Sequence, residues 1–366
     1  MRVLHVYKDY PPVHGGIEHH VRTLASGQAA RGHQIEVVVA ATGSTSSTTV
    51  EEGVRVIRAA RLGTFRSTPI SPRLVTTASR RSADIVHLHF PHPPGELSWL
   101  LRGFQPPAVI SYHADIVRQR LLAWVLSPMK RAVFGRAARI IVSSPVMTTL
   151  SSEIRRNRDR VRVIPMGIPE PPEVPSDDTE LLTLQTRFGS PRVLFVGRLR
   201  HYKGVRHLID ALVHVDGFLV IAGDGPLRPE LEARVAAKGL GDRVFFLGEV
   251  EDATLWRLYK AADVFVLPSD SRAESYGLVL AEAMAMGVPV ITTEVGTSTS
   301  WVNRHGETGL VVPPADPPAL AEAVRRLLND HELRIRMGQA ARHRTRSELL
   351  ADSMIDRVLE TYREIL

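Results

Sequence analysis

Short apolar runs rich in β-branched residues alternate with amphipathic stretches along the whole chain. In the first half, "RVLHVYK", "IEVVVA", "VRVIRAA", "DIVHLHF", "AVISYH", "RIIVSS" and "RVRVIP" read as strands. Helical patterns lie between several of them, such as "IEHHVRTLASGQAARG", which ends on Gly32 in the manner of a helix C-cap. The segment "PEPPEVPSDD" (169–178) breaks the rhythm with four prolines in ten residues, a linker signal. The alternation then restarts with "RVLFVG", "FLVIAG", "RVFFLG", "DVFVLP", "VPVITT" and "GLVVPP". Strands that are apolar almost throughout, alternating with helices, predict parallel sheets covered on both faces.

The pattern therefore predicts an α/β protein of two doubly wound, Rossmann-like domains facing each other across a cleft. The boundaries fall at 1–168, a linker at 169–190, and 191–347, with an amphipathic helix at 348–366 after the last strand. A length of 366 residues suits two domains better than one core. Without cysteine there are no disulfides and no thiolate metal sites. The start, "MRVLHVYKDYPP", reads as a strand rather than a signal peptide, and no apolar run approaches the roughly 18 residues of a spanning helix. A cytoplasmic location is the expectation.

Charge is uneven. Residues 1–175 carry 23 Lys+Arg against 12 Asp+Glu, whereas residues 176–366 carry 23 against 27. A basic first half fits an acidic partner, such as a membrane face or a phosphorylated lipid, although 41 of the 46 basic residues are Arg and could reflect a compositional bias. The stretch "RQRLLAWVLSPMKRAVFGRAAR" (118–139) interleaves Trp124, Leu126 and Phe134 with basic residues, as a helix on an anionic membrane surface would. A helix packed in the domain with its arginines in solvent would look the same. No nucleic-acid-binding module is apparent.

In open parallel sheets ligands bind at the carboxyl ends of strands, where helix N-termini gather. After one such strand, "GRLRHYKG" (197–204) places Arg198 and Lys203 at a helix start, against the dipole preference unless an anion lies between them. "AGDGP" (222–226) follows the next strand, with Gly223 and Gly225 around Asp224. Further on, "SRAESYGLVLAEAMAMG" (271–287) puts Glu274 in a loop and Glu282 inside the following helix, eight positions apart around Gly277. Eight helical steps would span about 12 Å, comparable to the distance from a sugar across a diphosphate to a ribose. In the first half, Gly15 and Gly16 follow the first strand, and His113 ends the strand of "SYHAD". His87 and His89 of "HLHFPH" share one strand face with no obvious third metal ligand, His92 included.

These loops together resemble the retaining glycosyltransferases of family 4 (glycosyl transferase group 1), which have the GT-B fold. The motifs are the N-terminal "GG", "SYH", "GRL…KG", "AGDGP", "ESYGLVLAEAMAMGVPVI" and "GETGLVVPPAD". The last region also looks like a bacterial subgroup that builds surface polysaccharides, often by mannosyl transfer. The resemblance implies that the C-terminal domain binds a nucleotide-diphosphate sugar, GDP-mannose or a UDP-sugar, and the N-terminal domain a saccharide or lipid-linked acceptor. Arg198 and Lys203 would bind the diphosphate, Glu274 the transferred sugar and Glu282 the ribose. The backbone of Ser275, Tyr276 and Gly277 would contact phosphate or sugar, with Gly223 nearby. His113 would lie near the sugar ring, and Gly15 and Gly16 near the diphosphate. Base recognition would fall to the loop "LGEV", including Gly248 and Val250. In this fold the last helix usually crosses back onto the N-terminal domain. The loop "EVGTSTS" (294–300) departs from the family's usual "GG" followed by Glu, leaving its contacts open. No D-x-D metal motif occurs, so no metal and no other cofactor is expected. Competing classes are a sugar-nucleotide epimerase of the same fold and a non-catalytic two-lobed sugar-binding protein.

Overall fold

The computed structural model describes residues 1–13, 15–65, 68–102, 105–114 and 126–366. The chain divides into two compact units, one of Met1–Pro169 with Ala351–Leu366 and one of Glu170–Leu350.

The first unit is built on an eight-stranded sheet. Its strands are β1 (Arg2–Val6), β2 (Gln34–Ala40), β3 (Ser47–Glu51), β4 (Val54–Ala59), β7 (Ile85–Phe90), β8 (Ala108–Tyr112), β9 (Arg139–Val142) and β10 (Val161–Val163). They lie in the order β10-β9-β8-β7-β1-β2-β4-β3, parallel except where β3 pairs antiparallel with β4. β5 (Gly63–Phe65) and β6 (Thr68–Ile70) form a separate small hairpin. The seven apolar runs all appear as strands, whereas β3, β5 and β6 have no apolar signature in the sequence. β3, "STTVE", is an edge strand whose first four residues are exposed, so nothing selects for alternation there.

Alternation along β1, β2, β7 and β8 feeds two cores, one on each sheet face. Leu4, Val6, Val38, Leu88 and Ile110 point to one. Val3, Tyr7, Val37, Ile85 and Val109 point to the other, where Val21 and Leu24 of helix Gly16–Ala30 meet Met354, Ile355 and Val358 of helix Ala351–Arg363. The final helix is also tied by charge, since Arg31 bonds Asp352 at 2.8 Å and Asp356 at 2.7 Å. It is a separate element, starting at Ala351 after helix His331–Glu348 has ended.

The second unit holds a six-stranded, wholly parallel sheet of β11 (Arg192–Val196), β12 (Phe218–Ala222), β13 (Val244–Gly248), β14 (Val264–Leu267), β15 (Val290–Thr293) and β16 (Gly309–Val312). Its order is β13-β12-β11-β14-β15-β16, so the winding reverses between β11 and β14. The segment expected as linker is not irregular throughout. Thr179–Arg187 is a helix capped by Asp178, whose side chain accepts from the Leu181 N–H, with Leu181 and Leu184 buried. The Leu spacing of three places both on one helix face, a signal hidden beside the prolines.

Candidate functional site

The loops after β11 and β14 leave the sheet at the point where its winding reverses, which is where open α/β sheets form their binding crevice. Gly204 has φ 66°, and a Cβ there would stand 1.9 Å from the Pro268 carbonyl oxygen, so the two loops touch backbone to backbone. The Asp270 N–H donates to the Tyr202 carbonyl at 2.9 Å. This close approach brings Lys203 and Glu274 together: Lys203 Nζ lies 2.6 Å from Glu274 Oε2, and both are buried. Burial works against charge on Lys203, but the carboxylates of Glu274 and Glu282 and the Tyr202 hydroxyl outweigh it and hold its pKa above the usual lysine value.

Glu274 is supported from three sides. Ser269 donates its hydroxyl to Oε2 at 3.1 Å, and Thr297 donates to the Glu274 carbonyl at 2.7 Å. The Ser298 N–H donates to the Ser275 carbonyl at 3.0 Å. The loop 294–300 that departs from the family pattern thus holds the backbone of Glu274 and Ser275 in place. Sequence reasoning missed Ser269, Thr297 and Ser298 in this role; hydroxyl residues after strands were the only signal. Tyr276 is buried, and Gly277 directly precedes helix Leu278–Ala285.

Glu282 lies inside that helix and is half-buried. Tyr259 donates its hydroxyl to Glu282 Oε2 at 2.7 Å. Burial pushes the Glu282 carboxyl upward, while the Tyr259 hydrogen bond and the Lys203 charge pull the other way. Arg198 is exposed and forms no ion pair among the described residues.

Three neighbouring strands end on glycines at this edge. A Cβ on Gly223, whose φ is 128°, would fall 2.3 Å from the Gly197 carbonyl oxygen. The Gly223 N–H donates to the Gly248 carbonyl at 2.7 Å. Bare backbone therefore carries β11, β12 and β13 into their loops, leaving the side chains of Arg198, Asp224 and Val250 to shape the rim. Asp224 turns back to the Gly225 N–H at 2.6 Å and to Arg228 at 3.2 Å. Val250 is half-buried.

In the first unit, Gly15 and Gly16 are exposed at the start of helix Gly16–Ala30. His113 directly follows β8 and is buried, and burial drives its imidazole pKa well below the usual value, so it is neutral. It is not alone. Parallel pairing sets His5 of β1 beside His87 of β7, and His89 beside Ser111 of β8. His5 Nδ1 lies 3.1 Å from His89 Nε2, and His89 Nδ1 lies 3.1 Å from His113 Nε2. The expectation that His87 and His89 lack a third partner is corrected here. His5–His87–His89 and His20–His89–His113 each bring three ring nitrogens within 4.8 Å of one another, a spacing that could hold a metal ion. His92 belongs to neither trio; it sits buried ahead of helix Pro93–Leu100.

Of the basic stretch 118–139, residues 118–125, with Trp124, lie outside the described residues. Phe134 is wholly buried against Phe90 and Tyr112, so it is a core residue and not a membrane contact. Leu126 is half-buried, while Arg131 and Arg136 are exposed. Among the described residues no helix is long and apolar enough to cross a membrane.

Residues 14–170 match the family described as Glycosyltransferase Family 4, and residues 184–344 match Glycosyl transferases group 1. The O-antigen chain mannosyltransferase C of Escherichia coli is 33% identical over 100% of this chain and 99% of its own length. This chain is a family 4 glycosyltransferase. The D-rhamnosyltransferase WbpZ of Pseudomonas aeruginosa is 37% identical over 94% of this glycosyltransferase and 91% of its own length. Among solved structures, sucrose-phosphate synthase from Thermosynechococcus elongatus superposes with a TM-score of 0.84 at 26% identity, covering 99% of this chain and 98% of that one. Anabaena HepE, solved in complex with UDP-glucose, shares the fold with a TM-score of 0.80 at 20% identity over 100% of both chains. The fold of this glycosyltransferase is GT-B, with two Rossmann-like units.

Proposed function

We propose that this glycosyltransferase moves a hexose from a nucleotide-diphosphate sugar to a saccharide or lipid-linked acceptor, with retention of anomeric configuration and without a metal ion. The product belongs to cell-surface polysaccharide or glycolipid synthesis. The observation that carries the reading is the buried Lys203–Glu274 pair at the strand ends where the second sheet reverses its winding. A lysine held protonated inside protein can stabilise the negative charge that develops when a sugar–phosphate bond breaks. Arg198, exposed on the same loop, adds a second cation, and the start of helix Leu278–Ala285 supplies backbone N–H groups. In the proposed chemistry the bond from sugar C1 to the diphosphate oxygen breaks, and the acceptor oxygen bonds to C1 on the same face. The acceptor proton passes to the departing diphosphate.

Glu274 then holds hydroxyls of the transferred sugar and Glu282 the ribose, each as a hydrogen-bond acceptor. The loop with Gly248 and Val250 meets the base, and Gly15 and Gly16 approach the diphosphate. The first unit binds the acceptor, and its His113 hydrogen-bonds a sugar hydroxyl. GDP-mannose is favoured as donor by the mannosyltransferase relative, whose match extends over the whole chain. Exposed Arg131 and Arg136 allow this unit to rest on an anionic membrane face, which keeps a lipid-linked acceptor within reach.

A thermal-shift screen of GDP-mannose against UDP- and ADP-sugars tests the donor, because a ligand that binds only the native state raises its apparent stability. A rise with GDP-mannose alone, followed by an α-linked product from this α-linked donor, is the expected result. A β-linked product would overturn retention, and no response to any sugar nucleotide would overturn the donor reading.

A further inference from the structure

Three of the buried histidines of the first unit, His5, His89 and His113, form one continuous hydrogen-bonded line, and the residue at one end fixes every ring along it. At one end Gln28, from helix Gly16–Ala30, places Oε1 2.8 Å from His5 Nε2. An amide oxygen can only accept, so His5 donates through Nε2. A neutral imidazole carries a single N–H, which leaves His5 Nδ1 as an acceptor. His89 Nε2, 3.1 Å away, must then be the donor, and His89 Nδ1 in turn accepts from His113 Nε2 at 3.1 Å. Each separation is that of one donor meeting one acceptor. Burial, the largest influence on each ring, lowers the pKa of all three, which keeps them neutral as this bookkeeping of protons requires.

The other side of Gln28 closes the network consistently. Its amide nitrogen donates to the Tyr362 hydroxyl at 3.3 Å, so the amide has a use for both of its ends. The Tyr362 hydroxyl contacts His87 Nδ1, and His87 Nε2 faces the Ser111 hydroxyl at 2.8 Å. A single ring in the opposite tautomer would set two lone pairs, or two protons, face to face in a buried site. The line therefore changes as a whole or not at all.

We propose that Gln28, His5 and His89 are positioning residues that lock His113 as its Nε2–H tautomer, so that its Nδ1 acts towards a sugar hydroxyl as an acceptor. The role in transfer rests on the reading of His113 given above; the tautomer lock does not. Tyr362 extends the control to the final helix, Ala351–Arg363, since its hydroxyl is what orients the Gln28 amide. This line accounts for the closeness of His5 to His89 and of His89 to His113; His20, whose buried Nδ1 has no hydrogen-bond partner, stands outside it.

The test is long-range 1H–15N NMR of the full-length protein labelled with 15N-histidine, with signals assigned by single His→Gln variants. In the unsubstituted protein His5, His89 and His113 should all appear as Nε2–H. Gln28→Met should abolish the single tautomer at His113, whereas Gln28→Glu, which retains the accepting oxygen, should preserve it. Mixed tautomers among the three rings, a metal-bound imidazole pattern, or an unchanged His113 in Gln28→Met would overturn the proposal. These readouts need no turnover, so they stand even if the donor reading fails. In the transfer assay Gln28→Met should lower kcat by about 10-fold or more at unchanged donor KM, comparable to losing the partner that orients a metal-bound imidazole. An unchanged kcat beside a lost tautomer would overturn the role of that tautomer in transfer. Should Gln28→Met fail to fold, Tyr362→Phe, which frees the amide to turn, carries the same expectations.

Discussion

Lys203 and Glu274 come from loops more than seventy residues apart, yet Nζ and Oε2 meet at 2.6 Å with both side chains buried in the second unit. Neither side chain would be tolerated there alone. Burial by itself would discharge the lysine, and the carboxylate would lose its counter-ion. The pair therefore has a structural and a chemical role, and the two can be separated.

Lys203→Ala should lower transfer by at least about 100-fold, as when one preorganised partner of a developing oxyanion is removed. It should also destabilise the second unit by about 3 kcal/mol, because Glu274 is left buried without its charge partner. The double variant Lys203→Ala, Glu274→Ala should regain most of that stability and none of the activity. Arg198→Ala should show the catalytic loss without the loss of stability, since Arg198 is exposed. Urea unfolding beside steady-state kinetics measures both, and near-normal turnover in Lys203→Ala would remove the leaving-group role.

Glu282 stands apart from that pair, bonded by Tyr259 and influenced by the Lys203 charge. Glu282→Ala should weaken affinity for the nucleoside diphosphate by about 10-fold or more, the range for losing a hydrogen bond to a charged group, with a smaller effect on turnover. Calorimetric titration with GDP and UDP checks it. An unaltered Kd would rule out the ribose contact. Tyr259→Phe should give a weaker version of the same loss, because it frees the carboxylate without removing it.

Transfer should persist in excess EDTA and gain little from added Mg²⁺ or Mn²⁺, because Arg198 and Lys203 supply the positive charge that a metal supplies elsewhere. A dependence on divalent metal in dialysed enzyme would overturn this mechanism.

The parts legible in the sequence were those written locally. β11 and β14 read as continuous apolar runs because both sheet faces are covered, and the stretches after them already showed Arg198, Lys203 and Glu274 in loops and Glu282 in a helix as odd residues for a core. The contact between Lys203 and Glu274 was not written locally. It depends on β11 and β14 being neighbours, which strand order alone decides. The same holds more strongly for the histidines. "HLH" announces two imidazoles on one face, but His5, His113 and Gln28 join them only through the pairing of β1, β7 and β8 and the packing of a helix above. β3 was illegible for another reason: an exposed edge strand needs no apolar pattern.

Six buried histidines make the first unit sensitive to acid. Burial lowers the pKa of His5 to about 4 and those of His20 and His92 to about 3, and it depresses His87, His89 and His113 as well. In the unfolded chain each takes up a proton near pH 6.5. Below that value the unfolded state binds more protons, so stability is full above pH 6.5 and falls as pH drops toward the folded values. All six rings act in the same direction, so their effects on stability reinforce one another as pH falls below 6.5. Glu96 works in the opposite sense. Burial raises its carboxyl to about 7, so acidification from pH 7 toward 4.5 favours the folded state and offsets part of that loss. The net expectation, six rings against one carboxyl, is that the first unit loses stability before the second as pH falls below 6.5, since the second contains none of these groups. Hydrogen exchange resolved by segment at pH 7.5 and 5.5 should show protection vanishing from β1, β7 and β8 first. Equal protection of both units at pH 5.5 would mean that the histidine line is not held neutral by the fold.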